Sequence, residues 1–392
     1  MKINDIYEVI IESVDDIGNG VTRINNIVVF VPYTLSNEKV KIKIVSISKR
    51  FAVGKVIEFI TKSAKRCEVK CNCYNECGGC NFLHINFNDE LSIKINYINK
   101  LFNTNINTVL TNNEYNYRNK ATFHIKDGKI GYYSEKTNNI IEINNCLLLD
   151  NRINDIYNYL KEHELSTISE VIIRVTTKDI MIVFKGEKYD INDVINHFNI
   201  TSIYLNDKLI YGESYIIEEI DNIKYSIYPD SFFQVNKDNM KIMYDKAREY
   251  AGYGNNLLDL YCGTGTIGIY LKDNFKHIDG IEINNDSIKN ANINKELNNI
   301  NNINFVCGDA SIAKNNNYDV IIVDPPRSGL SKKVIDFLNK SNAKRIVYIS
   351  CNPKTLKRDI DLLNNYKMIK LEIINMFNKT KHIECITLLE KY

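Results

Sequence analysis

The sequence is poor in the residues and segments that mark fibrous, disordered or membrane-spanning chains. Of its 392 residues only 17 are glycine and 5 are proline, whereas 44% are apolar and 25% are charged. This balance is typical of a soluble globular protein. No stretch approaches the ~18 consecutive apolar residues that a membrane-spanning helix needs, so we expect no association with a membrane.

The first residues also lack the apolar core of a secretory signal, because MKINDIYEVI contains Asp5 and Glu8. We therefore expect a cytoplasmic protein. The chain is longer than the ~250 to 300 residues at which one hydrophobic core stops growing. Its length thus predicts two or three domains.

The formal net charge of +2 hides two positive stretches. Residues 1–66 carry 11 Lys and Arg against 7 Asp and Glu, and residues 331–370 carry 10 against 3. Solvated surfaces explain such stretches, and so do contacts with a phosphate backbone. Charge alone leaves both interpretations open.

Three parts of the chain differ in their periodicity. Short apolar runs separated by turn residues predict a small β-barrel in residues 6–60. Residues 83–220 mix strand and helix patterns, with hairpins expected at Asp127-Gly128 and at Lys178-Asp179, and indicate an α+β domain. In residues 221–392, short apolar runs alternate with helical stretches, which predicts a doubly wound α/β domain with parallel strands.

Ten cysteines are present, although disulfides do not persist in a reducing compartment. Five of them lie within residues 67–80. Cys71, Cys77 and Cys80, with Cys146 as a distant fourth, would supply four thiolates to tetrahedral zinc or to an iron–sulfur cluster. A second close pair of cysteines would favour zinc and is missing, but spacing alone leaves both metals open.

A glycine-rich turn follows the apolar segment NLLDLYC. Gly263, Gly265 and Gly268 would let backbone N–H groups approach a ligand, and Glu282, at the end of the next strand, is placed to hydrogen-bond a ribose. This spacing fits a dinucleotide equally well. The order DLYCGTGTIG, GIEI, GDA and DPP is, however, similar to that of Rossmann-type S-adenosylmethionine methyltransferases.

Asp324 opens the segment Asp-Pro-Pro-Arg after the apolar strand VIIV. Ligands of open α/β sheets bind at the carboxyl ends of strands, so Asp324 would face both cofactor and substrate. Two other interpretations remain. The segment could be a simple rigid turn, or it could hold an exocyclic amine, as similar turns do in amino-methyltransferases.

Cys351 ends the apolar run RIVYISC, and Asn352-Pro353 after it predicts the start of a helix. A helix N-terminus with Lys354 and Arg358 nearby would lower the pKa of the thiol. The thiolate is the form that a nucleophile requires. The alternative is an inert, buried cysteine.

Glu384 lies in the last predicted strand, HIECITLLEK, on the same face as Ile386 and Leu388. Desolvation on an apolar face would raise the pKa of its carboxyl group toward that of a useful general base. The alternative is a strand-end glutamate whose carboxylate reaches solvent.

Seven segments in order resemble one family, the RNA 5-methyluridine methyltransferases, and within it the branch that acts on 23S ribosomal RNA. The segments are CNCYNECGGC with Cys146, SFFQVN, DLYCGTGTIG, GIEI, DPPRSGL, SCNPKTLKRD and HIECITLLEK. The resemblance implies S-adenosylmethionine contacts on Gln234, Tyr261, Glu282 and Asp324. It also implies a [4Fe-4S] cluster on Cys71, Cys77, Cys80 and Cys146, and it assigns no role to Cys67 or Cys73.

The same resemblance implies four parts of the chain. Residues 1–60 would be an OB-like TRAM barrel that binds RNA, and residues 61–82 a cluster loop completed by Cys146. Residues 83–220 would be a central RNA-binding α+β domain, and residues 221–392 a Rossmann-like S-adenosylmethionine-dependent methyltransferase domain. We expect 23S rRNA as the substrate, because the tRNA branch of the family lacks the barrel and the cluster, and we expect a monomer.

The resemblance also implies a reaction. Cys351 would add to carbon 6 of uracil, and Glu384 would remove the proton from carbon 5 after methyl transfer. Three alternatives stay open: a tRNA uracil-5-methyltransferase, an amino-methyltransferase that uses the turn after Asp324, and a non-catalytic, metal-bearing RNA-binding protein.

Overall fold

The computed structural model describes residues 1–135, 137–314 and 317–392. They form two compact units, which confirms that the chain has more than one domain. The first unit comprises Met1–Thr108, Ser134–Asn138 and Phe377–Lys381, and the second comprises Val109–Tyr133, Asn139–Met376 and His382–Tyr392. The finer division at residues 60, 82 and 220 stays a prediction. No helix among the described residues is long and apolar enough to cross a membrane.

The first unit begins with a six-stranded sheet in the order β1-β5-β6-β4-β3-β2. Its strands are β1 (Ile6–Ile10), β2 (Ser13–Val14), β3 (Gly20–Ile24), β4 (Ile27–Val31), β5 (Lys39–Ile47) and β6 (Phe51–Thr61). Strand β5 shows the alternation that forms it, since Val40, Ile42 and Ile44 are fully buried while Lys41 and Lys43 are exposed. The small β-structure predicted for the N-terminus is confirmed.

The first apolar run of the chain, residues 6–14, is divided into β1 and β2. The break lies at Ile11, whose N–H donates to Glu38 O at 2.9 Å, and at Glu12, whose N–H donates to Val21 O at 2.8 Å. The chain thus changes its partner from β5 to β3 at this point.

Two helices complete the first unit: α1 (Tyr74–Cys77) and α2 (Phe87–Phe102). The short helix α1 ends at Gly78, which has the left-handed φ of 68° that glycine adopts without strain. Helix α2 is capped by Asn86, whose side chain accepts from Asp89 N at 2.8 Å.

The second unit begins with a seven-stranded sheet in the order β10-β9-β8-β11-β12-β13-β14 and two helices. Its elements, and the short strand β7 before them, are β7 (Val109–Leu110), β8 (Lys120–Lys126), β9 (Lys129–Tyr133), β10 (Ile140–Ile141), α3 (Asn151–Lys161), β11 (Ile168–Val175), β12 (Ile180–Gly186), α4 (Asn192–His197), β13 (Ser202–Leu205) and β14 (Lys208–Gly212). Both predicted hairpins are confirmed. Asp127 and Gly128 both have positive φ, as a two-residue hairpin turn requires.

The rest of the second unit contains an eight-stranded sheet in the order β19-β18-β17-β20-β21-β23-β22-β7, preceded by a β15-β16 hairpin. The elements are β15 (Ile216–Ile220), β16 (Ile223–Ile227), α5 (Lys237–Ala251), β17 (Gly254–Leu260), α6 (Thr266–Tyr270), β18 (Phe275–Glu282), α7 (Asn285–Leu297), β19 (Ile303–Cys307), β20 (Val320–Val323), α8 (Lys332–Lys340), β21 (Arg345–Ser350), α9 (Pro353–Leu362), β22 (Tyr366–Ile374) and β23 (Glu384–Lys391).

Strands β17 to β21 are parallel, and β23 runs antiparallel between β21 and β22. The strand order reverses between β17 and β20, which creates the crevice where doubly wound sheets bind their ligands. The predicted α/β domain is confirmed.

Candidate active site

Three predicted site residues lie at the ends of three neighbouring strands. Val323 pairs with Tyr348 in the parallel register of β20 and β21, and Asp324 follows Val323. Ser350 pairs with Cys385 in the antiparallel register of β21 and β23. Cys351 and Glu384 each lie one residue beyond that pair. The reversed direction of β23 therefore brings its first residue to the edge where the parallel strands end.

The glycine-rich turn lies at the end of β17, beside Asp324. The N–H of Asp324 donates to Leu260 O at 3.4 Å. Gly263 has a φ of 54°, and no atom lies within 4 Å of where its Cβ would be, so the backbone there borders open space. At Gly265, φ is 78° and a Cβ would lie 2.5 Å from the ring of Phe305. Only glycine fits this position without displacing a neighbour.

Glu282 ends β18 and is held against the same turn. Its Oε2 accepts from Gly263 N at 3.2 Å and its Oε1 from Asn284 N at 2.9 Å. Tyr261, half-buried in the turn, has a φ of 63°, and burial raises the pKa of its hydroxyl to about 12. Backbone contacts thus hold Glu282, and the turn itself holds Tyr261, two of the four residues that the resemblance assigns to the cofactor. That assignment stays a prediction.

Glu384 and Asp324 form an acidic pair. Glu384 is only 4% exposed, and its burial, with the charge of Asp324, raises the pKa of its carboxyl group well above the usual value, while Arg327 opposes the shift. Burial raises the pKa of Asp324 to about 7. The raised pKa expected for Glu384 is confirmed in direction.

The lowered pKa expected for Cys351 is wrong for the ligand-free protein. Burial raises the pKa of the thiol, and the carboxylates of Glu384 and Asp324 raise it further, whereas Arg327 and a hydrogen bond from the backbone of Cys351 lower it. Arg358 is occupied elsewhere, since its guanidinium group donates to Ser328 O at 2.9 Å and forms an ion pair with its neighbour Asp359. The sequence showed the nearby cations Lys354 and Arg358, but not that Glu384 and Asp324 lie close to the thiol.

The predicted helix after Cys351 is confirmed as α9. Asn352 caps it, accepting from Lys354 N at 3.2 Å, and Pro353 is its first residue. The same Asn352 donates from Nδ2 to Arg327 O at 3.0 Å. The cap of α9 therefore also holds the turn that follows Asp324.

Sequence reasoning missed Asp359, which binds the backbone of the segment that follows Asp324. It is fully buried, and its Oδ2 accepts from Leu330 N and from the Tyr348 hydroxyl, both at 2.7 Å. The only hint in the sequence was that the charged run Lys357-Arg358-Asp359 ends in an acid at a helix position that turns out to be buried.

Gln234 lies before α5 in a segment that is tied to the start of β8. Gln234 O accepts from Asn119 Nδ2 at 3.1 Å, and Val235 O accepts from Asn119 N at 2.9 Å. The backbone of the predicted cofactor residue is therefore anchored, and its assigned role stays a prediction.

The four predicted cluster ligands are all partly exposed. Cys71, Cys77 and Cys80 belong to the first unit and Cys146 to the second. Among the residues that the structure describes, no three Cys, His, Asp or Glu side chains are grouped to hold a metal ion. The assignment of these four cysteines as cluster ligands stays a prediction.

Comparison with known proteins identifies the family. The model of the tRNA (uracil-5-)-methyltransferase family matches residues 86–312 and 310–392, and that of the TRAM domain matches residues 2–57. Relatives named as uncharacterized RNA methyltransferases are similar over almost their whole length. One from Clostridium tetani is 32% identical, with 100% of this chain and 98% of the relative covered, and one from Staphylococcus aureus is 32% identical, with 98% of each covered.

A solved structure is similar as well. The tRNA (uracil-54, C5)-methyltransferase of Pyrococcus abyssi, in complex with S-adenosyl-L-homocysteine, matches with a TM-score of 0.86 and 25% identity over 98% of this chain and 100% of that chain. The family match, the shared fold and the strand-end site agree. The chain belongs to the tRNA (uracil-5-)-methyltransferase family and is an S-adenosylmethionine-dependent RNA (uracil-5-)-methyltransferase with an N-terminal TRAM domain.

Proposed function

We propose that this protein methylates carbon 5 of a specific uridine in 23S rRNA. The observation that carries the uridine carbon-5 chemistry is the convergence of Cys351, Glu384 and Asp324 at the ends of β21, β23 and β20. A thiol, a raised-pKa carboxyl group and a second acid are the groups that methylation of a pyrimidine carbon needs, whereas methylation of an amine needs no thiol.

In the proposed reaction, the Cys351 thiolate forms a bond to carbon 6 of uracil and makes carbon 5 a nucleophile. Carbon 5 then takes the methyl group, Glu384 accepts the proton from carbon 5, and the bond from sulfur to carbon 6 breaks to release Cys351. Covalent catalysis divides one difficult step into easier ones. The target nucleotide must leave its stack, at a cost of about a few kcal/mol that protein contacts offset.

We propose that Gln234, Tyr261, Glu282 and Asp324 hold S-adenosylmethionine, whose sulfonium group supplies the methyl. The open space beside Gly263 and the Glu282 carboxylate held at the turn support this placement. Calorimetric titration with S-adenosylhomocysteine tests it. We expect Glu282→Ala to weaken binding by at least tenfold, and unchanged affinity would contradict the assignment.

A tRNA uridine is the second candidate. The P. abyssi enzyme, whose name specifies tRNA, matches 98% of this chain, so the N-terminal barrel does not by itself distinguish rRNA from tRNA enzymes. The 23S proposal rests on the resemblance of the seven segments.

The deciding experiment compares 5-methyluridine in purified 23S rRNA and in tRNA, by nuclease digestion and mass spectrometry, from cells with and without the gene. We expect the modification to disappear from 23S rRNA and to return with the wild-type gene but not with Cys351→Ala. Loss from tRNA alone would replace the proposal by its second candidate.

We also propose, on the resemblance alone, a [4Fe-4S] cluster on Cys71, Cys77, Cys80 and Cys146, and a monomer that acts in the cytoplasm. Iron and acid-labile sulfide measured on protein purified without oxygen test the cluster, and about four of each per chain are expected. Stoichiometric zinc without iron would refute it. Light scattering tests the monomer.

A further inference from the structure

Two cationic side chains face each other on the seven-stranded sheet of the second unit. Lys120, the first residue of β8, is the direct cross-strand partner of Arg174 in β11. Side chains at such positions begin only about 5 Å apart, and like charges there are destabilising. Arg174 is 4% exposed and Lys120 is half-buried, so water screens the repulsion poorly.

Among the described residues, no carboxylate forms an ion pair with Lys120 or Arg174. Arg174 donates from Nη1 to the carbonyl oxygens of Ser231 at 2.8 Å and Tyr228 at 3.4 Å. Lys120 has neither an ion pair nor a side-chain hydrogen bond in the described parts of the chain. Asp230 attracts both cations without forming an ion pair with either.

The surroundings of Lys120 disfavour its charge. Burial and, less strongly, the charges of Arg174 and Arg118 lower the pKa of its amino group to about 8, against the opposing charges of Asp230 and Glu170. Buried charges in proteins are normally paired. Lys185, which lies in β12 of the same sheet and is more exposed, has such a partner, since its Nζ lies 3.0 Å from Asp207 Oδ1.

We propose that Lys120, with Arg174 behind it, binds a phosphate group of the substrate RNA next to the target nucleotide. A phosphate supplies the missing negative charge, and a lysine amino group binds it as a compact point charge. The inference rests on the proposed RNA substrate but not on which RNA is methylated.

The position of Lys120 favours a phosphate near the reaction site. Its neighbour Asn119 donates to the backbone of Gln234 and Val235, so the start of β8 is fixed to the segment that we assign to the cofactor. The carboxylate of S-adenosylmethionine is the other anion that this position could receive, and the experiments separate the two.

The first experiment measures RNA affinity against salt concentration, with labelled 23S rRNA fragments and tRNA transcripts and with the full chain. We expect Lys120→Ala to weaken binding about tenfold and to reduce the slope of log K against log salt by about 0.7 to 0.9. Lys120→Arg should restore both. Lys185→Ala is the matched control, because its charge is already paired, and should change neither.

The second experiment measures acylation of single lysines by acetic anhydride at pH 8, read by peptide mass spectrometry. RNA should protect Lys120 at least tenfold more than Lys185, and S-adenosylhomocysteine alone should not protect it. Protection by S-adenosylhomocysteine alone would assign the site to the cofactor and overturn the proposal. An unchanged salt slope in Lys120→Ala would overturn it as well. Neither experiment measures methylation, so a failure of this proposal can be distinguished from a failure of the proposed methyltransferase function.

Discussion

At the scale of single residues, the surroundings of Cys351, the proposed nucleophile, raise the pKa of its thiol. Burial and the charges of Glu384 and Asp324 raise this pKa, and the charge of Arg327 lowers it. The thiol is therefore ionised at higher pH than an ordinary cysteine.

This balance predicts the pH dependence of Cys351 alkylation. Because the pKa of the thiol is raised, reaction with iodoacetamide should be slow at pH 7 and should increase with pH until above the ordinary thiol pKa of ~8.5. Glu384→Gln removes a negative charge and should shift the profile to lower pH, whereas Arg327→Gln should shift it to higher pH. Peptide mass spectrometry measures Cys351 alone. Identical profiles in all three proteins would refute the electrostatic explanation.

Glu384→Gln should also trap the covalent RNA adduct. Without a carboxylate to take the proton from carbon 5, elimination of Cys351 stalls after methyl transfer. A shifted protein band on a denaturing gel, containing RNA and methyl label, is the expected result. The double variant with Cys351→Ala should give no such band. Normal turnover by Glu384→Gln would exclude Glu384 as the base.

At the scale of elements, the glycine-rich turn depends on backbone that other residues cannot adopt there. Gly265→Ala should lower both stability and affinity for S-adenosylhomocysteine, because positive φ costs an alanine about 1 to 2 kcal/mol and its Cβ meets Phe305. Gly128→Ala is the matched control, since φ there is 72° with nothing within 4 Å. Gly128→Ala should lose only the stability that the positive φ costs, and it should bind S-adenosylhomocysteine normally. Calorimetry and thermal unfolding measure the two effects.

The elements also show what a sequence can predict. The strands around Gly263 and Cys351 were predictable because their apolar runs and punctuating turns are local signals. The raised pKa of Cys351 and the role of Asp359 depend on neighbours across the sheet, which no spacing along the chain reveals. Lys120 and Arg174 are more than fifty positions apart in the sequence, and only the register of β8 and β11 makes them partners.

At the scale of the whole molecule, a buried ion cluster holds the first unit together. Glu90 Oε1 accepts from Lys94 Nζ at 2.8 Å and from the backbone N–H of Lys379 at 2.9 Å. All three side chains are at most 1% exposed. The cluster fixes the segment Phe377–Lys381, which belongs to the first unit although the strands on either side of it belong to the second.

Glu90→Ala should therefore destabilise the protein by about 3 to 5 kcal/mol, because it leaves two lysines buried beside a missing acid. Asp286→Ala is the control, since its ion pair with Lys289 is exposed, and its removal should cost at most about 1 kcal/mol. Denaturant unfolding of the full chain measures both. Equal, small losses would show that the cluster does not stabilise the first unit.

The path of the chain through Phe377–Lys381 has a consequence for the reaction. The chain leaves the sheet after β22, passes through the first unit, and returns to the second unit at His382, two residues before Glu384. The strand that carries the proposed base thus begins directly after a segment of the unit that contains the TRAM domain. Only His382 and Ile383 separate the segment that belongs to the first unit from the proposed base.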